Sequence, residues 1–334
     1  MQPAGWVGGR AIGPGRQTGW MRFNASGSRR PGNVSTIGGA HAMREAKIKT
    51  AVRQPPPQRF PAIPGYRFLQ TIARSQKSEV YVAYSEELAQ NVAIKLVRTG
   101  PQASTGRGEE ARFEREREVL MSLRHPAIVD VYDWGRGSDF RYIVTEYFPS
   151  GSLELRIRNL MTVRDSVDIF VQIAGALVVV HNAGLCHRDL KPANVMMRAD
   201  GRVVLIDFGL AKAWDRGAMD PASSDGATDL THAGEVRGSP YYISPEQAQG
   251  EPVDQRCDLY SLGVMFYEML TGRRPFAGKS VIAILHAHRS APIPRLPDEL
   301  ARFQNLIDGL LAKDPAERFP TAASALAELA RMKV

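Results

Sequence analysis

Cysteine is nearly absent from this chain, whose 334 residues include only Cys186 and Cys257. Neither belongs to a CxxC pair, which disfavours a zinc site, a covalently attached haem and a disulfide framework.

Long apolar runs are also missing. The longest, residues 169–180, has twelve residues and contains Gln172, so it is too short to cross a bilayer, and no N-terminal block is typical of a signal peptide. We expect a globular cytoplasmic protein without membrane insertion.

Acidic residues are scarce at the N terminus. Residues 1–59 contain ten lysines or arginines but only one acid, Glu45, whereas the remainder of the chain is close to neutral. Ten of the thirty glycines lie in the first forty residues, where apolar periodicity is weak and burial cannot offset the entropy of ordering. We predict a basic, Gly/Arg/Pro-rich disordered tail over 1–59, with a start at Met1 or Met43. A solvated extension is favoured; contact with nucleic acid or acidic lipid is the alternative.

Alternating apolar residues predict a strand-rich segment that begins near Tyr66. In NVAIKLV, residues 91–97, strand geometry places Lys95 on the same face as the small Ala93, where its ammonium group needs an anionic partner. The later segment RFEREREVLMSL has helical periodicity, and its apolar stripe includes one acid, Glu116. We expect Glu116 to pair with Lys95 and to hold the ammonium group towards bound phosphate oxygens.

Beyond Pro126 the pattern changes along the chain. Strand-like sequence ends in RYIVTEYFPSGSL, residues 141–153, and mostly helical sequence follows from about residue 152. This order predicts a small β-rich lobe followed by a larger helical lobe, with the connector 146–151 between them. A cleft at such a connector would let a planar base bond to exposed backbone groups.

The most informative stretch is LCHRDLKPANVMM, residues 185–197, followed after a short turn by VVLIDFGLAK, residues 203–212. Together they supply a base, a cation and two oxygen ligands within nineteen residues, namely Asp189, Lys191, Asn194 and Asp207. Phosphoryl transfer mainly requires such positioned charge around a metal-bound triphosphate. Either motif alone could arise by chance, whereas the two at this spacing indicate a phosphotransfer site.

The chain resembles the serine/threonine class of protein kinases, in particular the eukaryotic-like kinases of bacteria, over about residues 66–330. LKPAN, with its lysine two positions beyond the aspartate, is similar to serine/threonine rather than tyrosine kinases. The resemblance implies an α+β, bilobal protein kinase-like fold. A small β-rich N-lobe with one regulatory helix would cover about 66–146, and a larger, mainly helical C-lobe would cover about 152–330.

The resemblance also implies a role for individual residues and the cofactors ATP and Mg2+. Asp189 would accept the proton of the substrate hydroxyl, and Lys191 would neutralise charge on the transferred phosphoryl group. Asn194 and Asp207 would hold magnesium. The other implied nucleotide contacts are the ion pair Lys95–Glu116, the loop positions Ala73, Ser75 and Ser78, the adenine-facing Ile72, Val80, Ala93 and Met196, the gate Thr145, and the hinge residues Glu146 and Phe148.

Several further residues are implied to support this site. Ser244-Pro245-Glu246 matches the APE end of an activation segment, so Glu246 would pair with a buried Arg318. Asp258 would brace the catalytic loop from below. The apolar column that links the two lobes in active kinases would consist of Leu120, Val131, His187 and Phe208. For His187 the packed structural role is favoured, and we assign it no catalytic one.

The activation segment carries the expected regulatory residue, Thr231. In the family, the arginine before the catalytic aspartate, here Arg188, receives a phosphate from this segment, and the new charge-assisted hydrogen bonds order it. We therefore expect autophosphorylation at Thr231.

Glycine is missing from the loop that precedes VAIK, where the kinase pattern GxGxxG is replaced by Ala73, Ser75 and Ser78. Glycine normally lets backbone N–H groups approach phosphate oxygens. If each position required a left-handed backbone, the cost would be about 1–2 kcal/mol per residue, which would weaken ATP binding but need not abolish it. A β-hairpin need not use a positive φ at all three positions.

Because the polar catalytic groups are intact, the sequence predicts an active ATP- and Mg-dependent serine/threonine kinase. The alternative is a pseudokinase scaffold with weak or no nucleotide binding. Expected partners are protein substrates with serine or threonine and a soluble regulatory partner or second copy; a nucleic-acid partner is disfavoured.

Overall fold

The computed structural model describes residues 60–74, 78–98, 121, 123–137, 140–159, 161–207, 212–213 and 240–332. These residues belong to one unit within Arg59–Val334. The predicted tail over 1–59 lies outside the described residues, as does nearly all of the predicted regulatory helix.

The N-terminal part is an antiparallel sheet of five strands in the order β1-β2-β3-β5-β4. Its strands are β1 Tyr66–Arg74, β2 Ser78–Ser85, β3 Gln90–Arg98, β4 Val131–Arg136 and β5 Phe140–Glu146. On β3 the residues Val92, Ile94 and Leu96 are buried, whereas Ala93 and Lys95 remain partly exposed. The predicted alternation is therefore confirmed, because one face packs a small core and the other carries the lysine.

The C-terminal part is mainly helical. In the described residues its helices are α1 Leu153–Ile157, α2 Val163–Asn182, α3 Pro245–Gln249, α4 Arg256–Thr271, α5 Val281–Ser290, α6 Gln304–Leu311 and α7 Ala322–Arg331, with 3-10 turns at Pro192–Asn194, Pro240–Tyr242, Asp298–Phe303 and Pro315–Glu317. Together with the sheet, these helices confirm the predicted bilobal α+β architecture.

Helix α4 forms the centre of the helical core and is buried on almost every side. Its Phe266 ring lies 4.6 Å from the ring of Phe170 on α2 and 5.6 Å from that of Phe303. Gly263 allows α6 to pack closely, since a Cβ atom at this position would lie 2.7 Å from Leu310 Cβ. Burial of each large apolar side chain in such a contact stabilises the folded state by about 1.5–3 kcal/mol.

Two short antiparallel ladders position the polar motifs. They pair β6 Leu185–Cys186 with β9 Lys212–Ala213, and β7 Val195–Met197 with β8 Val203–Leu205. The loop before β4 joins this region, because Val129 N donates to Leu205 O at 3.0 Å and Leu205 N donates to Ala127 O at 2.9 Å. In the described parts of the chain, every helix is too short or too polar to cross a bilayer.

Candidate active site

The loop between β6 and β7 is supported from below by Asp258, at the start of α4. One of its carboxylate oxygens accepts the backbone N–H of His187 and the other accepts that of Arg188, both at 2.8 Å. Arg188 has a left-handed backbone with φ +62°, which is uncommon for a side chain of this size. The two hydrogen bonds hold this turn in place, as predicted for Asp258.

Asp258 is fully buried, yet it stays ionised. Burial acts to raise the pKa of this carboxyl, but the hydrogen bond and charge of His181 outweigh it and hold the pKa below its ordinary value. His181 Nε2 lies 2.9 Å from Asp258 Oδ2. A buried carboxylate with this many donors is a rigid support rather than a proton donor.

The Asp189 side chain accepts hydrogen bonds from two other polar side chains of the same loop. Its Oδ2 accepts a hydrogen bond from Lys191 Nζ at 2.6 Å and one from Asn194 Nδ2 at 3.0 Å. Asn194 Nδ2 also donates to the Asp189 backbone oxygen at 2.8 Å. The side-chain amide is therefore oriented by its N–H groups, and its oxygen is the atom suited to bind a cation.

Asn194 and Asp207 are brought together by the pairing of β7 with β8. Val195 lies opposite Leu205, and Ile206 N donates to Asn194 O at 3.0 Å. Asp207 follows at once, with a left-handed φ of +62°. The ladder therefore brings the backbones of the two predicted oxygen ligands close together, although thirteen positions separate them in sequence.

Lys95 from β3 forms an ion pair with Asp207, so the sheet and the helical part meet at this point. Burial acts to raise the pKa of Asp207, but the adjacent Lys95 ammonium, by charge and hydrogen bonding, holds it below its ordinary value. Asp207 is therefore ionised near neutral pH. The predicted partner of Lys95, Glu116, lies outside the described residues.

The donor set at this position suits magnesium. Mg2+ prefers oxygen ligands and is usually held by one or two carboxylates together with substrate phosphates and water. Asp207 supplies an ionised carboxylate and Asn194 an amide oxygen. The described residues contain no cluster of three or more His, Cys, Asp or Glu side chains that would form an all-protein cage.

The sheet presents the predicted adenine-side residues on its partly exposed face. Strand register places Val80 opposite Lys95 and Ala93 opposite Thr145, so these four share one face. Ala73 joins them, because it pairs with Val80. Ile72 differs: it lies at a register shift and is 48% exposed.

Two of the three glycine replacements cause no backbone strain. Ala73 lies in the last part of β1 and Ser78 begins β2, and neither has a positive φ. Arg74 Nε lies 3.3 Å from Glu79 Oε1 across the hairpin, and Tyr81 donates to Glu79 Oε2 at 2.9 Å. The left-handed cost considered from the sequence therefore does not apply at positions 73 and 78. Ser75 lies outside the described residues.

The end of the connector after β5 lies against strand β7, where Met197 N donates to Gly151 O at 2.9 Å. Glu146 ends β5, and Phe148 has a buried side chain and a backbone oxygen that accepts Gly151 N at 3.2 Å. Met196, which is predicted to face adenine and is called here the floor of that pocket, lies on β7 and forms an isolated bridge with Ser152. The predicted hinge and floor are thus adjacent.

Comparison with known proteins decides the family. The protein kinase domain model matches residues 66–329. The chain belongs to the protein kinase family. Kinases with similar sequences include the probable serine/threonine-protein kinase PknB of Bifidobacterium longum, which is 35% identical over 77% of this chain and 38% of its own length.

Two further kinases show similar agreement. A probable serine/threonine-protein kinase of Streptomyces coelicolor is 37% identical over 77% of this chain and 38% of its own length. PknB of Mycobacterium tuberculosis is 37% identical over 76% of this chain and 41% of its own length. The chain spans about two fifths of the length of these relatives, and the predicted resemblance to bacterial serine/threonine kinases is confirmed.

The kinase domain also contains the predicted buried ion pair between Glu246 and Arg318. The guanidinium group donates to both carboxylate oxygens at 2.7 Å, and Arg318 Nε donates to Ala312 O at 2.8 Å. Both side chains are almost completely buried. This pair ties the start of α3 to the loop before α7.

His187 plays the packed role that the sequence favours. It is fully buried, and its Nε2 lies 3.1 Å from the backbone oxygen of Ile206. Other predicted residues lie outside the described part of the kinase, so their placement stays a prediction. They are Ser75, Glu116, Leu120, Phe208 and Thr231.

Sequence reasoning missed Arg198, the residue that follows β7. Its guanidinium group contacts Glu146 at the predicted hinge. The available signal was a cation, Arg198, directly after one strand-like run and an acid, Glu146, at the end of another. Such residues can form an ion pair if the two strand ends meet. Only the fold brings these ends together.

Proposed function

We propose that this chain is an ATP- and magnesium-dependent protein-serine/threonine kinase that transfers the γ-phosphoryl group of ATP to protein hydroxyls. One observation carries the proposal. A continuous set of contacts runs from Lys191 to Asp189, from Asp189 to Asn194, and through the β7–β8 ladder to Asp207 and Lys95. These are the charges that phosphoryl transfer requires around one cleft.

In this proposal Asp189 acts as the general base. Its Oδ2 is engaged by Lys191 and Asn194, so we assign Oδ1 to the proton of the substrate hydroxyl. Lys191 stays close enough to offset negative charge on the transferred group. A well-positioned general base such as Asp189 typically contributes about 10²–10⁴-fold to the reaction rate.

Asn194 and Asp207 are the residues that would hold magnesium, and Lys95 would contact the ATP phosphates. When bound, the metal neutralises phosphate charge and orients the triphosphate. Lys95 keeps Asp207 ionised and in place before nucleotide binds, through the ion pair described above. Val80, Ala93, Thr145 and Met196 would enclose the base, with the backbone of Glu146 and Phe148 as its hydrogen-bonding edge.

The substrate class follows from the LKPAN motif and from the relatives, which are named serine/threonine-protein kinases. Autophosphorylation of the activation segment is part of the proposal. Arg188 supports the presence of a phosphate on this segment, since its buried Nε has no hydrogen-bond partner in the described residues. The regulatory partner, a homodimer and the cytoplasmic location stay predictions of the sequence.

Replacing Asp189 with asparagine tests the function directly. The assay mixes the purified chain with labelled ATP, magnesium and a generic basic protein, and it measures the label transferred to protein. We expect the transfer rate of Asp189→Asn to be about 10²–10⁴-fold lower than that of wild type, because the amide cannot accept the proton. Asp200→Asn is the matched control, since Asp200 lies on the exposed β7–β8 turn and pairs with Arg202. Equal label in wild type and Asp189→Asn would contradict the proposal and favour the pseudokinase scaffold.

A further inference from the structure

Arg198 connects three segments of the kinase domain behind the predicted hinge. Its Nη2 lies 2.5 Å from Glu146 Oε2 and its Nε lies 3.2 Å from Glu146 Oε1, an arrangement that uses both carboxylate oxygens. Its Nη1 donates to the backbone oxygen of Pro126 at 2.9 Å. Arg198 therefore holds the end of β5 and the loop before β4 against the end of β7.

The ion pair between Arg198 and Glu146 is largely shielded from water, which strengthens it relative to a fully exposed pair. The exposed fractions of the side chains are 24% for Arg198 and 27% for Glu146, and the guanidinium group lies 6.0 Å from the centre of the Phe148 ring. Charge-assisted, bidentate arginine–carboxylate pairs are stronger and geometrically stricter than single hydrogen bonds. A lysine could not reproduce this geometry, because its ammonium is a point charge without a planar fork.

Arg198 lies near residues that are proposed to contact the adenine base of the nucleotide, rather than near those proposed to contact its phosphates. Met196, the floor of the proposed adenine pocket, lies two residues earlier, on β7. Glu146 and Phe148 are the predicted hinge. Arg198 thus fixes the distance between the floor and the edge of the proposed adenine pocket, and does so through Glu146.

We propose that Arg198 is a positioning residue for nucleotide binding, which holds the hinge backbone in register with Met196. This inference rests on the proposed kinase function. Because the residue acts on the pocket before the base enters, its loss should weaken binding of the base while the phosphoryl-transfer groups keep their geometry. The expected result is a change in KM for ATP with little change in kcat.

The experiment compares Arg198→Gln with Arg202→Gln in the full chain. Arg202 is the matched control, since it lies on the same turn, pairs with Asp200 at 2.6 Å and is 59% exposed. We expect Arg198→Gln to raise KM for ATP and the Kd of adenosine by about tenfold, with kcat within about twofold of wild type. Adenosine has no phosphates, so it reports the base pocket alone. Arg202→Gln should match wild type.

A thermodynamic cycle with Glu146→Gln tests whether Arg198 acts through that carboxylate. If it does, Arg198→Gln/Glu146→Gln should bind adenosine no more weakly than Arg198→Gln alone. Arg198→Lys should recover only a small part of the adenosine affinity that is lost in Arg198→Gln. If Arg198→Gln fails to fold, as judged by thermal unfolding, Arg198→Lys and Glu146→Gln provide the same comparison.

Three results would overturn the inference. They are equal adenosine affinity in Arg198→Gln and Arg202→Gln, fully additive effects in the cycle, or a loss confined to kcat. Failure of this inference is distinguishable from failure of the proposed function. An active wild type with an unaffected Arg198→Gln contradicts this inference alone, whereas a wild type that binds neither adenosine nor ATP contradicts both.

Discussion

Replacing Asp207 with asparagine should reduce magnesium-dependent phosphoryl transfer by about 10³-fold or more, because it removes the only carboxylate of the proposed metal site among the described residues. The change also removes the ion partner of Lys95. Both effects act on the triphosphate, so the affinity for ATP in the presence of magnesium should fall as well. The affinity for adenosine, which needs no metal, should be retained.

The measurement is a titration of magnesium against initial transfer rate at fixed ATP. Wild type should show a saturable rise in rate with magnesium, and Asp207→Asn should show almost none. Asp165→Asn is a suitable control, since it changes a partly exposed acid that pairs with Arg156 on the surface. A variant that keeps magnesium-stimulated transfer at a rate near that of wild type would remove Asp207 from the metal site.

Replacing Arg318 with alanine should destabilise the kinase domain by about 3–5 kcal/mol, the usual cost of breaking a buried ion pair. The exposed fractions are 0% for the Arg318 side chain and 3% for that of Glu246, so the carboxylate left behind would be buried without a partner. The Ala312 carbonyl would also lose its donor. Such a loss is a large part of the 5–15 kcal/mol that separates most native proteins from their unfolded state.

Urea unfolding with a fluorescence readout measures this loss. Arg331→Ala is the control, since its surface pair with Glu328 leaves the arginine 78% exposed and should contribute less than about 1 kcal/mol. If Arg318→Ala does not fold, the double replacement Glu246→Gln/Arg318→Met should recover stability, because no unpaired charge remains. Equal unfolding free energies for Arg318→Ala and Arg331→Ala would show that the buried pair contributes little.

Much of this architecture was predictable because its signals are local. The alternation around Lys95 predicted that the lysine shares one face of β3 with Ala93, and the polar spacing after Cys186 predicted a loop carrying Asp189 and Asn194. The Glu246–Arg318 pair was predictable from the family resemblance. In each case a short motif determines where the side chain lies once its strand or helix has formed.

Other features depend on contacts between distant segments. Arg198 and Glu146 are 52 positions apart, and nothing near either residue indicates that their strand ends meet. The left-handed backbone of Arg188 and of Asp207 depends on the buried Asp258 and on the β7–β8 ladder. Tertiary structure imposes these conformations on residues that rarely adopt them.

The loop without glycine shows what the sequence interpretation had to leave open. The left-handed cost at Ala73, Ser75 and Ser78 was conditional on a positive φ, and Ala73 and Ser78 lie in ordinary strands without one. Glycine is needed only where the backbone has a positive φ or where a side chain would block a close approach. At those two positions the first reason is absent, and both side chains are small.

The proposed activity requires this cleft to bind magnesium–ATP although the loop between β1 and β2 lacks glycine. Isothermal titration calorimetry of the purified wild-type chain with ATP, in the presence and absence of magnesium, measures this binding. Wild type should show saturable binding at about one nucleotide per chain, with an affinity that rises when magnesium is present. The absence of saturable heat under either condition would contradict the proposed activity.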